Sequence, residues 1–203
     1  MVKVKICGLQ TQADIEAANL SQPDYIGFIF VKQSKRYILP DHANRLRQLL
    51  NQPIQAVGVF VNEEHARIVD IAQAGTIDLV QLHGDEDDNY IHTLKKALEI
   101  PVIKAVSVGK TVEASTKSAD YLLFDTETVE RGGSGQAFDW ELISEFNKQP
   151  FFLAGGLNTE NIQAALAVVQ PFALDVSSGV ETDGKKDPQK MRAFVEIVRE
   201  QTR

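Results

Sequence analysis

The sequence is poor in several features that would settle a class of protein at once. It has one cysteine in 203 residues, Cys7, so no internal disulfide closes, and that cysteine matches no metal-ligand spacing. No segment reaches the roughly 18 apolar residues a membrane span requires. The first residues carry Lys3 and Lys5 without an apolar stretch or a small-residue cleavage site, so no secretory signal is read. Basic charge is also scarce: 21 Lys and Arg stand against 28 Asp and Glu, for a net charge of −7. Without a basic run, neither nucleic acid nor a membrane surface is expected as a partner. Only one of the four histidines ends a strand pattern, and nothing beside it completes a zinc site, so no metal and no cofactor is expected. These absences point to a cytoplasmic protein of the reducing cytosol.

What is present is a regular alternation. Apolar runs suited to buried strands lie at 2–7, 25–31, 55–61, 79–83, 102–108, 121–125, 151–154 and 173–176, their starts 19 to 30 residues apart. That spacing holds a strand, a helix and two short loops. Helical stripes fill the intervals: Met191, Phe194, Val195 and Val198 follow the i, i+3, i+4, i+7 rule behind Asp187-Pro188, an N-cap with proline at the first helical position. Ile162, Ala165, Leu166 and Val169 make a second stripe, with Asn158 or Thr159 to cap it, and Thr11 starts a third helix with Ile15 and Ala18 inward. The interval 110–119 is the weakest helix. Runs such as F-F-L-A and Y-L-L-F are apolar on both faces, as strands of a helix-covered parallel sheet are. Eight βα units ending in a helix predict an α/β protein, a (β/α)8 TIM barrel occupying residues 1–203 as one catalytic domain. The chain is short for that fold, usually about 250 residues; an open doubly wound sheet is the alternative.

In such a barrel the working end lies at the C-terminal ends of the strands. Polar residues gather there: Cys7, Arg36 in the loop after strand two, His83 and Asp125. Glycine-rich turns follow strands six, seven and eight: Gly132-Gly133-Ser134-Gly135, Ala154-Gly155-Gly156-Leu157 and Ser177-Ser178-Gly179. Glycine lets backbone N–H groups approach an anion, a following helix adds its positive end, and loops seven and eight are the usual phosphate corner. Cys7 alone reads equally as a small core hydrophobe. Placed at a strand tip, it becomes a general base if a nearby cation lowers its pKa. Lys5, two residues back on the same strand face, is that cation, or it pairs with Asp175. Asp125 caps a turn, or burial raises its pKa and it serves as a general acid. Arg36 grips a carboxylate in a bidentate fork or makes a surface ion pair.

Several motifs together are more specific. K-I-C-G at 5–8, S-K-R at 34–36, G-V-F at 58–60, Q-L-H-G at 81–84, Asp125, G-G-S-G with F-D-W at 132–140, L-A-G-G-L at 153–157 and D-V-S-S-G-V-E at 175–181 resemble the phosphoribosylanthranilate isomerase family of tryptophan biosynthesis, in order and at the family's spacing. Ser134 stands where threonine is commoner and keeps the hydroxyl. The resemblance implies a TIM barrel acting on a small phosphoribosyl substrate by an Amadori rearrangement, as a monomer or homodimer. It implies Asp125 as general acid, Cys7 as general base, Arg36 on the substrate carboxylate, and Gly133, Ser134, Gly135, Gly155, Gly156, Ser178 and Gly179 around the phosphate. Lys5, His83 and Asp175 line the pocket. A related phosphate-barrel enzyme, such as a sugar-phosphate epimerase or indole-glycerol-phosphate synthase, shares the glycine loops, and a noncatalytic phosphoribosyl-binding protein is a third class.

Overall fold

A computed structural model describes residues 1–109, 117–126, 138–146 and 149–202. Eight parallel strands close into a barrel in sequence order: β1 (Lys3–Cys7), β2 (Tyr25–Ile29), β3 (Gln55–Phe60), β4 (Leu79–Leu82), β5 (Val102–Val108), β6 (Tyr121–Thr126), β7 (Phe151–Leu153) and β8 (Ala173–Val176). The ring shuts through β8 on β1, with Lys5 opposite Asp175. The helices are α1 (Gln12–Ser21), α2 (Pro40–Arg47), α3 (His65–Gln73), α4 (Asp88–Ala97), α5 (Ile162–Val168) and α6 (Pro188–Gln201). Beyond β8 a two-stranded hairpin, β9 (Glu181–Thr182) with β10 (Lys185–Lys186), leads into α6. The closed ring excludes the open sheet.

Local chemistry sets most boundaries. Thr11 caps α1 in a reciprocal box with Asp14, each side chain taking a backbone N–H that the helix leaves unbonded. Asp187 accepts from the N–H groups of Gln189 and Lys190 at the start of α6, and Met191, Phe194, Val195 and Val198 face inward as their spacing predicts. The start of α5 differs from expectation. Asn158 and Thr159 do not cap it; the helix begins at Ile162, with Asn161 before it. The reason is local: Asn158 Oδ1 accepts from the N–H of Glu160, and Asn161 Oδ1 from the N–H of Asn158, so these side chains close a turn of their own. The predicted weak helix over 110–119 lies mostly outside the described residues, and 117–120 form bends. Between β6 and β7 the described chain holds one short 3-10 turn, Trp140–Ile143.

Both faces of the strands are buried, which explains their two-sided apolar composition. Val4, Ile6, Phe28, Phe60, Leu82, Phe124 and Val176 pack outward in the larger core; each such side chain contributes about 1.5–3 kcal/mol by leaving water. A separate inner core consists of Tyr25, Val57, Leu79, Ile103, Leu123, Phe152 and Ala173, backed by Tyr121 and Phe172. The strand register places Lys5, Cys7 and Asp125 on that same inward face. Near the strand starts the interior is aromatic: Tyr121 meets Phe172 at 4.9 Å, Phe152 meets both Tyr25 and Tyr121 at 5.6 Å, and Lys3 Nζ sits 5.1 Å from the Phe172 ring centroid. The opposite end is polar.

Candidate active site

Moving up the inner face from the aromatic layer, the first polar layer is an ion pair. Lys5 Nζ, fully buried, donates to Asp175 Oδ2 at 2.8 Å. Burial alone would discharge the lysine, but the charges of Asp175 and Cys7 outweigh it and hold its pKa above the usual value. Asp175 is pushed upward by burial and by Asp125, against the pull of Lys5. Its second oxygen, Oδ1, has no hydrogen-bond partner among the described residues, and neither has Oε1 of buried Gln81. A buried acceptor left this way costs about 1–3 kcal/mol. Both atoms lie on the inward strand face, where donors from a ligand could satisfy them.

Above this layer lies Cys7, the last residue of β1. The thiol is at a strand tip, as expected, but it is only 6% exposed rather than offered to solvent. Room for it comes from the neighbouring strand: Gly27 pairs with Cys7, and a Cβ on that glycine would stand 2.5 Å from Cys7 Sγ. A glycine inside a strand pattern is the sequence signal of such a close approach. Burial pushes the thiol pKa up, Lys5 pulls it down, Asp175 pushes it up and Lys186 pulls it down; the balance is upward. The expected lowering by Lys5 is thus real but outweighed by desolvation.

Asp125, one residue from the end of β6, faces His83 across the mouth, with Oδ2 3.4 Å from the imidazole Nε2. Its Oδ1 accepts from the Thr126 N–H at 2.8 Å. His83 Nδ1 in turn lies 3.1 Å from Gln81 Nε2, which fixes the ring through the strand below. His83 is therefore a wall residue with a hydrogen-bonding role. The carboxylate, imidazole, thiol and ion pair come together at one end of one barrel, although they come from strands 1, 4, 6 and 8.

Arg36 corrects a simpler expectation. It is neither a surface pair nor an unclaimed fork, because Nε and Nη2 donate to Glu181 Oε1 and Oε2 at 2.7 and 2.8 Å, with both side chains nearly buried. One guanidinium edge is spent on the protein, and the remaining N–H groups are those a ligand carboxylate can take. Glu181 also receives Lys186 Nζ at 2.7 Å. Burial pushes its carboxyl up, but bonds from the two cations overwhelm that and hold it at about 2.

At the expected phosphate corner, Gly155 and Gly156 follow β7, while Ser178 and Gly179 open the turn after β8. The two loops press together: a Cβ on Gly179 would fall 1.9 Å from the Leu157 carbonyl oxygen, so packing alone requires glycine here. α5 starts only at Ile162, but its beginning is tied to the glycines: Asn161 Nδ2, just before the helix, donates to the Gly156 carbonyl at 3.0 Å. Gly133, Ser134 and Gly135 lie outside the described residues. Sequence reasoning did not assign Gln81, Ser177, Glu181 or Lys186. Glu181 was visible as the last residue of D-V-S-S-G-V-E, but its partner lies 145 positions away.

A closed parallel barrel with a carboxylate, a thiol and cationic groups gathered at the C-terminal strand ends belongs to the TIM-barrel class. Comparison with known proteins narrows the class. The family model of N-(5'phosphoribosyl)anthranilate (PRA) isomerase matches residues 4–197. An N-(5'-phosphoribosyl)anthranilate isomerase of Endomicrobium trichonymphae is 49% identical over 98% of this chain and 99% of its own. Among solved structures, phosphoribosyl anthranilate isomerase from Thermotoga maritima is 40% identical with a TM-score of 0.86, covering 98% of this chain and 100% of that one. A phosphoribosyl anthranilate isomerase in complex with reduced 1-(o-carboxyphenylamino)-1-deoxyribulose 5-phosphate is 37% identical with a TM-score of 0.83, at the same coverage. The chain belongs to the phosphoribosylanthranilate isomerase family.

Proposed function

We propose that this barrel isomerises N-(5-phosphoribosyl)anthranilate to 1-(2-carboxyphenylamino)-1-deoxyribulose 5-phosphate in tryptophan biosynthesis, with Asp125 as general acid and Cys7 as general base. The activity is that of the family. The assignment of roles rests on one observation: the thiol and the carboxylate end different strands on the same inward face, above a shared Lys5–Asp175 pair.

The chemistry follows from these residue types. Asp125 gives its proton to the furanose ring oxygen; the ring C–O bond breaks, and the nitrogen lone pair forms the C1=N double bond of a protonated Schiff base. The cationic nitrogen acidifies the C2 proton, so a thiolate is basic enough to remove it. Cys7 takes that proton, and the C–H electron pair becomes the C1–C2 enolamine, which tautomerises to the ketone. The iminium charge also favours the thiolate at the moment it is needed. Arg36 holds the anthranilate carboxylate with the N–H groups Glu181 leaves free, and Gly155, Gly156, Ser178 and Gly179 hold the phosphate with Gly133, Ser134 and Gly135. Fixing both ends supplies the orientation that lets two side chains act on one small sugar. Asp175 and Gln81 offer their unpaired acceptors to substrate hydroxyls. The synthase alternative requires a lysine acid in place of this pair, and a binding-only protein has no use for it. We extend the reading to a cytoplasmic enzyme whose whole chain is one catalytic domain, working as a monomer or a homodimer; a similar structure from Thermotoga maritima concerns a dimeric enzyme.

Turnover of phosphoribosylanthranilate, followed as loss of its fluorescence, tests the assignment. Cys7→Ala and Asp125→Asn each lower kcat by at least about 10²-fold, while the reduced product analogue still binds. Near-normal turnover of either variant removes that residue from its role.

A further inference from the structure

We infer that Lys186 is a positioning residue of this reaction, the centre of a buried strut that sets the Cys7 base and the Arg36 carboxylate anchor in fixed relation. The inference rests on the assignment of those two residues above, and its observations are geometric. The β9–β10 hairpin directs its two lysines differently: Lys185 is exposed, whereas the Lys186 side chain is only 2% exposed. Burying an ammonium is costly unless it is paired and hydrogen-bonded. Here Nζ donates to the Ser177 carbonyl at 2.9 Å and to Glu181 Oε1 at 2.7 Å, with Ser177 Oγ at 3.4 Å.

Each partner leads to one half of the site. Ser177 Oγ donates to the Cys7 carbonyl at 3.0 Å, so one arm ends on the backbone of the proposed base. Glu181 grips Arg36 bidentately, so the other arm ends on the proposed anchor. The circuit then closes, because Arg36 Cδ packs so tightly on Gly8, the residue after Cys7, that a Cβ there would come within 2.5 Å. A displacement of Lys186 therefore moves both ends of the reacting geometry.

Charge points the same way. With one cation, Glu181 would neutralise Arg36; with two, the Arg36–Glu181–Lys186 cluster keeps a net positive charge for a substrate carboxylate. The groups acting on Cys7 are Lys5 from its own strand, Asp175 from β8, Lys186 from β10 and Arg36 from the loop after β2, with Asp125 and His83 acting on Asp175 in turn. Burial lowers the Lys186 pKa against the pull of Glu181, while Lys186 itself favours the Cys7 thiolate.

The single cysteine makes the test specific, since alkylation of the full chain by iodoacetamide reads Cys7 alone. In Lys186→Met the pH midpoint of alkylation rises by on the order of one unit, KM rises and kcat falls, for a loss of about 10-fold or more in kcat/KM. Lys186→Arg, which keeps the charge, returns the midpoint toward wild type. Should Lys186→Met fail to fold, the arms are tested singly: Ser177→Ala lowers kcat more than it raises KM, and Glu181→Gln does the reverse. A wild-type midpoint and KM in Lys186→Met overturn the inference. So does equal loss of activity in the Met and Arg variants with the midpoint unmoved, and so does the absence of the split between Ser177→Ala and Glu181→Gln. Normal turnover in Cys7→Ala strikes the base assignment instead and leaves the alkylation readout intact.

Discussion

The two ends of the barrel interior solve opposite problems with the same strand geometry. At the strand starts Phe152 meets Tyr25 and Tyr121 edge to face, Phe172 packs tilted on Tyr121 and Phe152, and Lys3 lies over two rings and donates to the Tyr25 hydroxyl at 3.3 Å. At the strand ends a thiol, two carboxylates, an imidazole and a buried lysine share the same inward face, and two buried acceptors have no partner among the described residues. One end closes the barrel and stabilises it; the other carries the cost of a site prepared for ligand. The Lys5–Asp175 pair is the boundary between them.

Substitutions on either side of that boundary should separate activity from stability. The largest effect belongs to the mouth: Asp125→Asn and Cys7→Ala lose at least about 10²-fold in kcat with little change in melting temperature. At the boundary, Lys5→Met alone leaves Asp175 buried without its cation and costs about 3–5 kcal/mol in denaturant unfolding, whereas Lys5→Met with Asp175→Leu recovers most of that stability and remains inactive. If the double variant were as unstable as the single one, the pair would be holding the fold rather than serving the site. At the closed end, Phe152→Ala costs a similar about 3–5 kcal/mol, yet the folded fraction turns over at the wild-type rate. A smaller effect marks the rim. Glu181 is held at about 2, below the about 4.3 of a free glutamate, so its contribution to stability is fully present above that ordinary value and is lost as pH falls toward 2. An acid titration of unfolding free energy shows this slope in wild type and loses it in Glu181→Gln.

The closed end and the strands were largely legible because they obey short-range rules. Two-sided apolar runs such as F-F-L-A fix strand centres to within a residue or two, and Asp187-Pro188 fixes the start of α6. Where the reading slipped, side chains competed with the backbone: Asn158 and Asn161 bond within their own turn and delay α5. The mouth was legible in part. Cys7, His83 and Asp125 announce themselves as polar residues ending apolar strands; strand parity turns Lys5 to the side of Cys7, and pairing with Asp175 was one of its two open roles until β8 closed on β1. Glu181 and Lys186 do not, because their meaning lies in contacts with Arg36 and Ser177 that exist only once the ring has closed. Burial of the thiol was one of two open readings of Cys7, and what decides it, the close approach of Gly27 on the next strand, exists only in the folded sheet.

The central claim is that Cys7 works as a thiolate base inside a buried site. Burial raises its pKa, and a base must be deprotonated, so activity must fall as pH drops below that value and rise as the thiol ionises. The direct measurement sets the pH dependence of kcat/KM beside the pH dependence of Cys7 alkylation in the wild-type enzyme. The base limb of kcat/KM should rise with the same midpoint as the alkylation rate, above that of a free thiol. A kcat/KM that stays flat while the thiol titrates would contradict the account.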